Sequence, residues 1–181
     1  NLHLNTEGAK IRTEQLIADI KRWQEKGTDM HMGEDPYTDI VSDVNLVRIT
    51  DISEYLEALE RGKDRYGILI SVRGGAGTAL NGDVVEGLRA LGLEAALQGQ
   101  EQAGYLAVAL RGEPAAEQTG DQLLEASGVM APEGRALSYQ IRSGRAVSSI
   151  RLNGREYSRN EDGLNIVVYS METGRVLDEV S

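Results

Sequence analysis

The chain has 181 residues, a formal net charge of −10, and neither cysteine nor phenylalanine. That length suits one domain, or one plus part of a second, and is enough to bury a real core. The acidic balance argues against phosphate-driven nucleic-acid binding and against polybasic membrane attachment, and the missing cysteines exclude disulfides, cysteine zinc sites and thiol nucleophiles.

Residues 10–26 carry Ile11, Leu16, Ile17, Ile20 and Trp23 on one stripe near the 3.6-residue period, which predicts a helix ending at Gly27. Residues 27–39 are polar and punctuated, so a loop follows. Residues 44–50 alternate and are β-branched, which predicts a strand. Asp51 or Ser53 then caps a helix over 53–61, with Tyr55, Leu56 and Leu59 facing inward and Gly62 as its stop. The continuous apolar run 66–72 predicts a strand buried on both faces. Residues 73–77 read as a flexible loop, 82–91 as a helix with Val84, Val85, Leu88 and Leu91 inward, and 104–110 as a second buried strand. Residues 111–136 are the least patterned, broken by glycine and proline, with room for a short helix at 117–126. After that come hairpins. A strand at 137–141 is followed by a turn at Ser143-Gly144, and a strand ending at Leu152 by Asn153-Gly154, the strongest short hairpin signal. The strand 164–169 turns through Met171–Gly174 and pairs back through 175–180.

The expected fold class is α+β: a compact two-sheet, mostly antiparallel arrangement of seven to nine strands with two or three short helices, plus the N-terminal helix. The chain divides into residues 1–43 (helix and acidic loop), 44–112 (strand-helix-strand-helix-strand), 113–136 (connector) and 137–181 (hairpins). No apolar run reaches the roughly 18–20 residues of a membrane span, and no basic-then-apolar leader opens the chain. It starts at Asn1 without a methionine and stops at Ser181 inside an expected strand, so a processed or excised piece is expected.

Two stretches are more specific than composition. One is residues 150–169, IRLNGREYSRNEDGLNIVVY, followed by TGRVLD at 173–178. The other runs from EYLEAL at 54–59 through GILISV at 67–72 and LRALG at 88–92 to GYLAV at 104–108. Together they resemble the interleukin-like EMT-inducer family, also called GG domains, over well more than half the chain. The resemblance implies two twisted sheets with short helices and a non-enzymatic role. Relatives are secreted signalling proteins in animals, stem or accessory domains of glycan-processing enzymes, and bacterial neighbours of extracellular or cell-envelope enzymes. In at least one glycosyltransferase stem the domain binds carbohydrate. The lack of cysteine points to a bacterial-type member. The family's usual segment order is reversed here, which leaves a permuted single unit or a cut from a tandem array.

The glycan-binding relatives use an aromatic and charged cluster in the loop before the strand at 104–110. Here that loop offers Gln98, Gln100, Glu101 and Gln102, with Tyr105 at its end, but no Trp or Arg. The Gly-rich segment Arg73–Thr78 lies between a strand and a helix and falls where such relatives carry acidic residues. It lacks a phosphate-loop signature, so a close turn is the plainer reading. Candidate ligand contacts are therefore Arg73, Thr78, Gln98, Gln100, Glu101, Gln102 and Tyr105. Asp29, His31, Glu34, Asp35, Asp39 and Asp43 match no calcium-loop spacing and read as a solvated acidic loop. Only His3 and His31 are available to a catalytic triad, and neither has a motif around it. No catalytic residue, metal or cofactor is implied. The expected role is a non-catalytic module in an extracellular or cell-envelope setting, binding carbohydrate or attached to a glycan-processing or cell-envelope protein. The alternative is a protein-interaction or assembly module docking through its acidic surface. The expected partner is a glycan or a protein, with no nucleic acid and no membrane insertion.

Overall fold

The computed structural model describes residues 45–94 and 102–181. The expected helix at 10–26, Trp23, the loop at 27–39 and its acidic cluster lie outside these residues. Among these residues nine strands form one mixed sheet: β1 (Tyr66–Arg73), β2 (Gly104–Leu110), β3 (Glu113–Gly120), β4 (Leu124–Met130), β5 (Leu137–Gly144), β6 (Val147–Leu152), β7 (Arg155–Glu156), β8 (Gly163–Ser170) and β9 (Val176–Val180). Among the described residues three α-helices accompany them: α1 (Ile52–Arg61), α2 (Ala76–Ala79) and α3 (Gly82–Ala90). The chain is therefore α+β and rich in sheet, as composition and periodicity predict.

β1 is the centre. It lies antiparallel between β2 and β8, with Leu69 paired to Val108 on one side and to Val167 on the other. β3 extends the sheet beyond β2, and β9 beyond β8. The strands β4 to β7 form their own antiparallel run, joined to β1 by a single parallel pair, Arg73 with Gly144. The hydrogen-bonded ladder is thus continuous where two separate sheets are expected from the sequence.

Alternation along β1 sends side chains to two different cores. Ile68, Ile70 and Val72 face α1 and α3, while Leu69 faces the β5–β6 run. β2 and β8 alternate in the same way: Tyr105 and Ala107 join the helix side, Leu106 and Val108 the strand side. This is why 66–72 and 104–110 read as unbroken apolar runs. Fully burying each leucine, isoleucine or valine among them contributes roughly 1.5–3 kcal/mol. Asp51 caps α1 by accepting from the N–H groups of Ser53 (2.9 Å) and Glu54 (3.0 Å). Asn81 caps α3 by accepting from Val84 N–H at 3.0 Å. The two helices pack closely where Gly87 leaves room for Leu56; a Cβ there would stand 2.7 Å from Leu56 Cδ1.

Four sequence readings change. Residues 45–50 form a helical turn and an irregular segment, with Ile49 N–H bonded to the Leu46 carbonyl at 3.1 Å. Leu46 and Ile49, three apart, share the helix-side core, a helical spacing that the alternation masked. The loop expected at 73–77 is only a turn at Gly74 and Gly75, both at positive φ, between the end of β1 and α2. The connector at 113–136, with its expected helix at 117–126, is largely strands β3 and β4. β3 is a polar edge strand held by pairing with β2, and Pro114 is tolerated because it sits on that edge at a register shift. β4 carries Gly128 opposite Tyr139, whose ring lies across it; a Cβ at 128 would meet the Tyr139 hydroxyl at 2.5 Å. Finally, β5 runs on through Ser143-Gly144 and turns at 145–146.

Ser143 explains that last change. Its hydroxyl donates to the Val72 carbonyl at 2.7 Å and accepts from the N–H groups of Val72 (3.2 Å) and Tyr105 (3.1 Å). It sits where β1 and β2 part, after Ser71 pairs with Leu106, and supplies the partners that those strands no longer give each other. Ser143→Ala leaves buried backbone groups unpaired and is expected to cost about 2 kcal/mol, read as a lower urea midpoint with an unchanged slope.

Candidate functional site

The motif at 157–169 divides into two jobs. Ser158, Asn160 and Asn165 build a polar seam. The Ser148 hydroxyl is hydrogen-bonded to those of Ser71 and Ser158, the latter at 3.0 Å. The Ser158 hydroxyl also lies 3.2 Å from Asn165 Oδ1, to which it donates. The Asn165 amide donates to the carbonyls of Glu161 (2.9 Å) and Gly163 (3.2 Å), and Asn160 Oδ1 accepts from Ser148 N–H at 2.7 Å. Ser71 and Asn165 face each other across β1 and β8 and are fully buried. This seam fixes β6 and the 157–163 segment onto the central strands.

Tyr157 and Tyr169, at the ends of the motif, line a groove of about 880 Å³. One wall is the stretch from Pro132 into the start of β5, another is the Asn153 turn with Arg155 and Tyr157, and the third is Gly174–Glu179. Six consecutive residues of that third wall face the groove. Side chains alternate along a strand, so the edge of β9 itself borders it. β9 pairs with β8 alone among the described residues, which leaves backbone donors and acceptors on its outer edge.

Tyr169 is only 5% exposed, and its hydroxyl has no hydrogen-bond partner among the described residues. Burial and then neighbouring Tyr157 push its pKa up, while Arg135 pulls it down; all three residues line the groove. Gly174, at φ +68, passes close to this hydroxyl: a Cβ there would lie 3.3 Å away. Arg155 stacks on Tyr157, its guanidinium carbon 5.0 Å from the ring centroid.

Glu156 points the other way and anchors this wall. Its carboxylate accepts from the Ser149 hydroxyl, from the N–H groups of Ile150 (2.8 Å) and Ser158 (3.1 Å), and from Arg151 Nε (3.1 Å). Burial alone would raise its pKa, but these donors together hold it below the ordinary 4.5.

The residues singled out from sequence lie elsewhere. Tyr105 is fully buried in the helix-side core, and its hydroxyl donates to Glu117 Oε1 at 2.8 Å. Burial and the Glu117 carboxylate push that phenol far above its usual range, so Tyr105 is a core anchor and not an accessible contact. Arg73 donates to the Asn160 carbonyl, and its Nε lies 3.2 Å from Asp162 Oδ1, within ion-pair distance but off hydrogen-bond alignment. Thr78 donates to the Gly75 carbonyl at 3.1 Å, closing its own turn. The Gln102 carbonyl accepts from Ala76 N–H at 3.2 Å, which brings the Gly-rich turn beside the start of β2. Gln98, Gln100 and Glu101 lie outside the described residues. The groove draws on separate segments between Pro132 and Glu179, a juxtaposition no local pattern signals, although both its tyrosines stand inside the quoted motif. Among the described residues no three acidic or histidine side chains gather as a metal site, and no helix is long and apolar enough to cross a membrane.

No protein-family model, curated protein or solved structure matches the chain.

The Glu156 carboxylate adds stability above its ordinary pKa, and that contribution disappears as pH falls through the lowered value. Glu156→Gln is therefore expected to melt at lower temperature than the parent near neutral pH, with the gap closing as pH falls below the ordinary carboxylate range. Thermal melts across pH check this; a gap that persists unchanged in acid would show that the donors do not favour the charged form.

Proposed function

We propose that this chain is a non-catalytic accessory module that binds carbohydrate through the groove between β9 and the Tyr157 turn. It would serve a glycan-processing or cell-envelope protein, in an extracellular or cell-envelope setting. The observation that carries the reading is the groove itself. Its volume, about 880 Å³, falls in the range of ligand clefts. Its walls combine aromatic side chains with the Tyr169 hydroxyl, the Asn153 turn, charged side chains and a free strand edge. A saccharide presents many hydroxyls, each donor and acceptor, and such a mixed wall can satisfy them. The resemblance of residues 150–178 to domains found beside glycan-processing enzymes supports the same reading, because those residues build most of the groove.

Two sets of variants locate the site. With glycans immobilised on an array, Tyr157→Ala and Asn153→Ala are expected to weaken binding by about tenfold, the scale of a binding hot spot. Thr78→Ala and Gln102→Ala are expected to leave it unchanged. The opposite result would move the site to the Gly-rich turn, and a chain that captures no glycan would overturn the proposal.

A further inference from the structure

The next inference rests on that reading and concerns which glycan the groove takes. We infer that it selects an acidic saccharide, one carrying carboxylate or sulfate groups. Tyr157 is not a bare platform. The Arg155 guanidinium lies over its ring at 5.0 Å, and the ring also packs against the strand-side core. A neutral sugar stacking on that ring would have to displace a cation from a π-face. What the groove presents instead is a guanidinium held by an aromatic ring, with its rotamer freedom already reduced before a ligand arrives.

Arg135 and Arg175 line the same groove. Among the described residues, none of these three guanidiniums has a carboxylate within ion-pair distance, whereas Arg73, Arg142 and Arg151 each do. The groove also holds two acids, Asp178 and Glu179. The Asp178 carboxylate is already engaged: it accepts from the Tyr55 hydroxyl at 3.0 Å and from the Glu179 N–H at 2.9 Å. Three arginines against two acids leave the groove with excess positive charge, on a chain whose net charge is −10. Guanidinium groups match carboxylate and sulfate as bidentate, charge-assisted donors, and these bonds are about twice as strong as those to neutral hydroxyls. The acidic surface elsewhere repels polyanions, so selection depends on contact inside the groove and not on long-range attraction.

Isothermal titration of the full chain tests this with five probes: an oligogalacturonate, its methyl ester, a sulfated oligosaccharide, a neutral oligosaccharide of equal length, and polyglutamate. At least one acidic saccharide is expected to bind about tenfold or more tightly than the ester and the neutral sugar, and the pair of acidic probes tells carboxylate from sulfate. Arg135→Gln and Arg175→Gln are each expected to weaken that binding about tenfold with an unchanged melting temperature. Equal binding of neutral and acidic sugars would overturn the charge selection and leave the glycan reading standing. Binding to no saccharide would overturn both. Polyglutamate binding as tightly as the acidic sugar, or arginine variants that bind like the parent, would overturn the inference as well.

Discussion

A hydroxyl has one proton to donate and two lone pairs, and Ser143 uses all three on the backbone of strands it does not belong to. The reason lies in the architecture. Two antiparallel runs of strands must close over a shared core, yet they are joined directly by one residue pair, Arg73 with Gly144. Where β1 and β2 diverge to admit the end of β5, their backbone groups lose each other. Buried backbone groups left unpaired are costly, so something has to take their place. A serine side chain is small enough to reach both strands and polar enough to satisfy them.

The seam of Ser71, Ser148, Ser158 and Asn165 continues this closure along β1 and β8. It is a polar strip inside an otherwise apolar interface, and each member has a partner within it. Such a network fixes register, because sliding either run by one residue would carry these polar groups away from their partners. With the register fixed, the segment after β7 leaves the seam at Ser158 and returns at Gly163 into β8. Tyr157 and Tyr169 are thereby brought to one groove, although twelve positions separate them. The same polar closure that joins the two runs therefore also shapes the candidate binding surface.

Charge is distributed unevenly around that surface. Buried tyrosines elsewhere donate hydrogen bonds to nearby carboxylates, Tyr55 to Asp178 and Tyr105 to Glu117. The first pair ties α1 to β9 and the second ties β2 to β3, and each satisfies a hydroxyl that burial would otherwise leave alone. Tyr169 differs, because its ring is buried while its hydroxyl reaches the groove without a protein acceptor among the described residues. That difference separates a packing tyrosine from one available to a ligand, and it depends on the close passage of Gly174 beside the hydroxyl.

How much was legible follows the range of the interactions. The helices at 52–61 and 82–90, the two buried strands, and the Asn153-Gly154 turn at φ +48 and +80 are set by caps, periodicity and glycine geometry within a few residues. The sequence by itself determined these, together with an acidic, cysteine-free chain whose core is built without phenylalanine. The strands at 113–120 and 124–130 carry polar residues, a proline and two glycines. They exist because β2 and β5 offer them edges, which is a tertiary condition. Tyr105 reads like a loop-end contact and is a buried anchor, because burial depends on what packs above a strand and not on the strand. Likewise only the folded chain decides that Ser143 bridges strands instead of turning, and that Tyr157, Tyr169 and three arginines meet in one groove. Local rules carry information over three or four residues; a groove between β9 and the 153–157 turn requires the register that long-range pairing and the serine–asparagine seam impose.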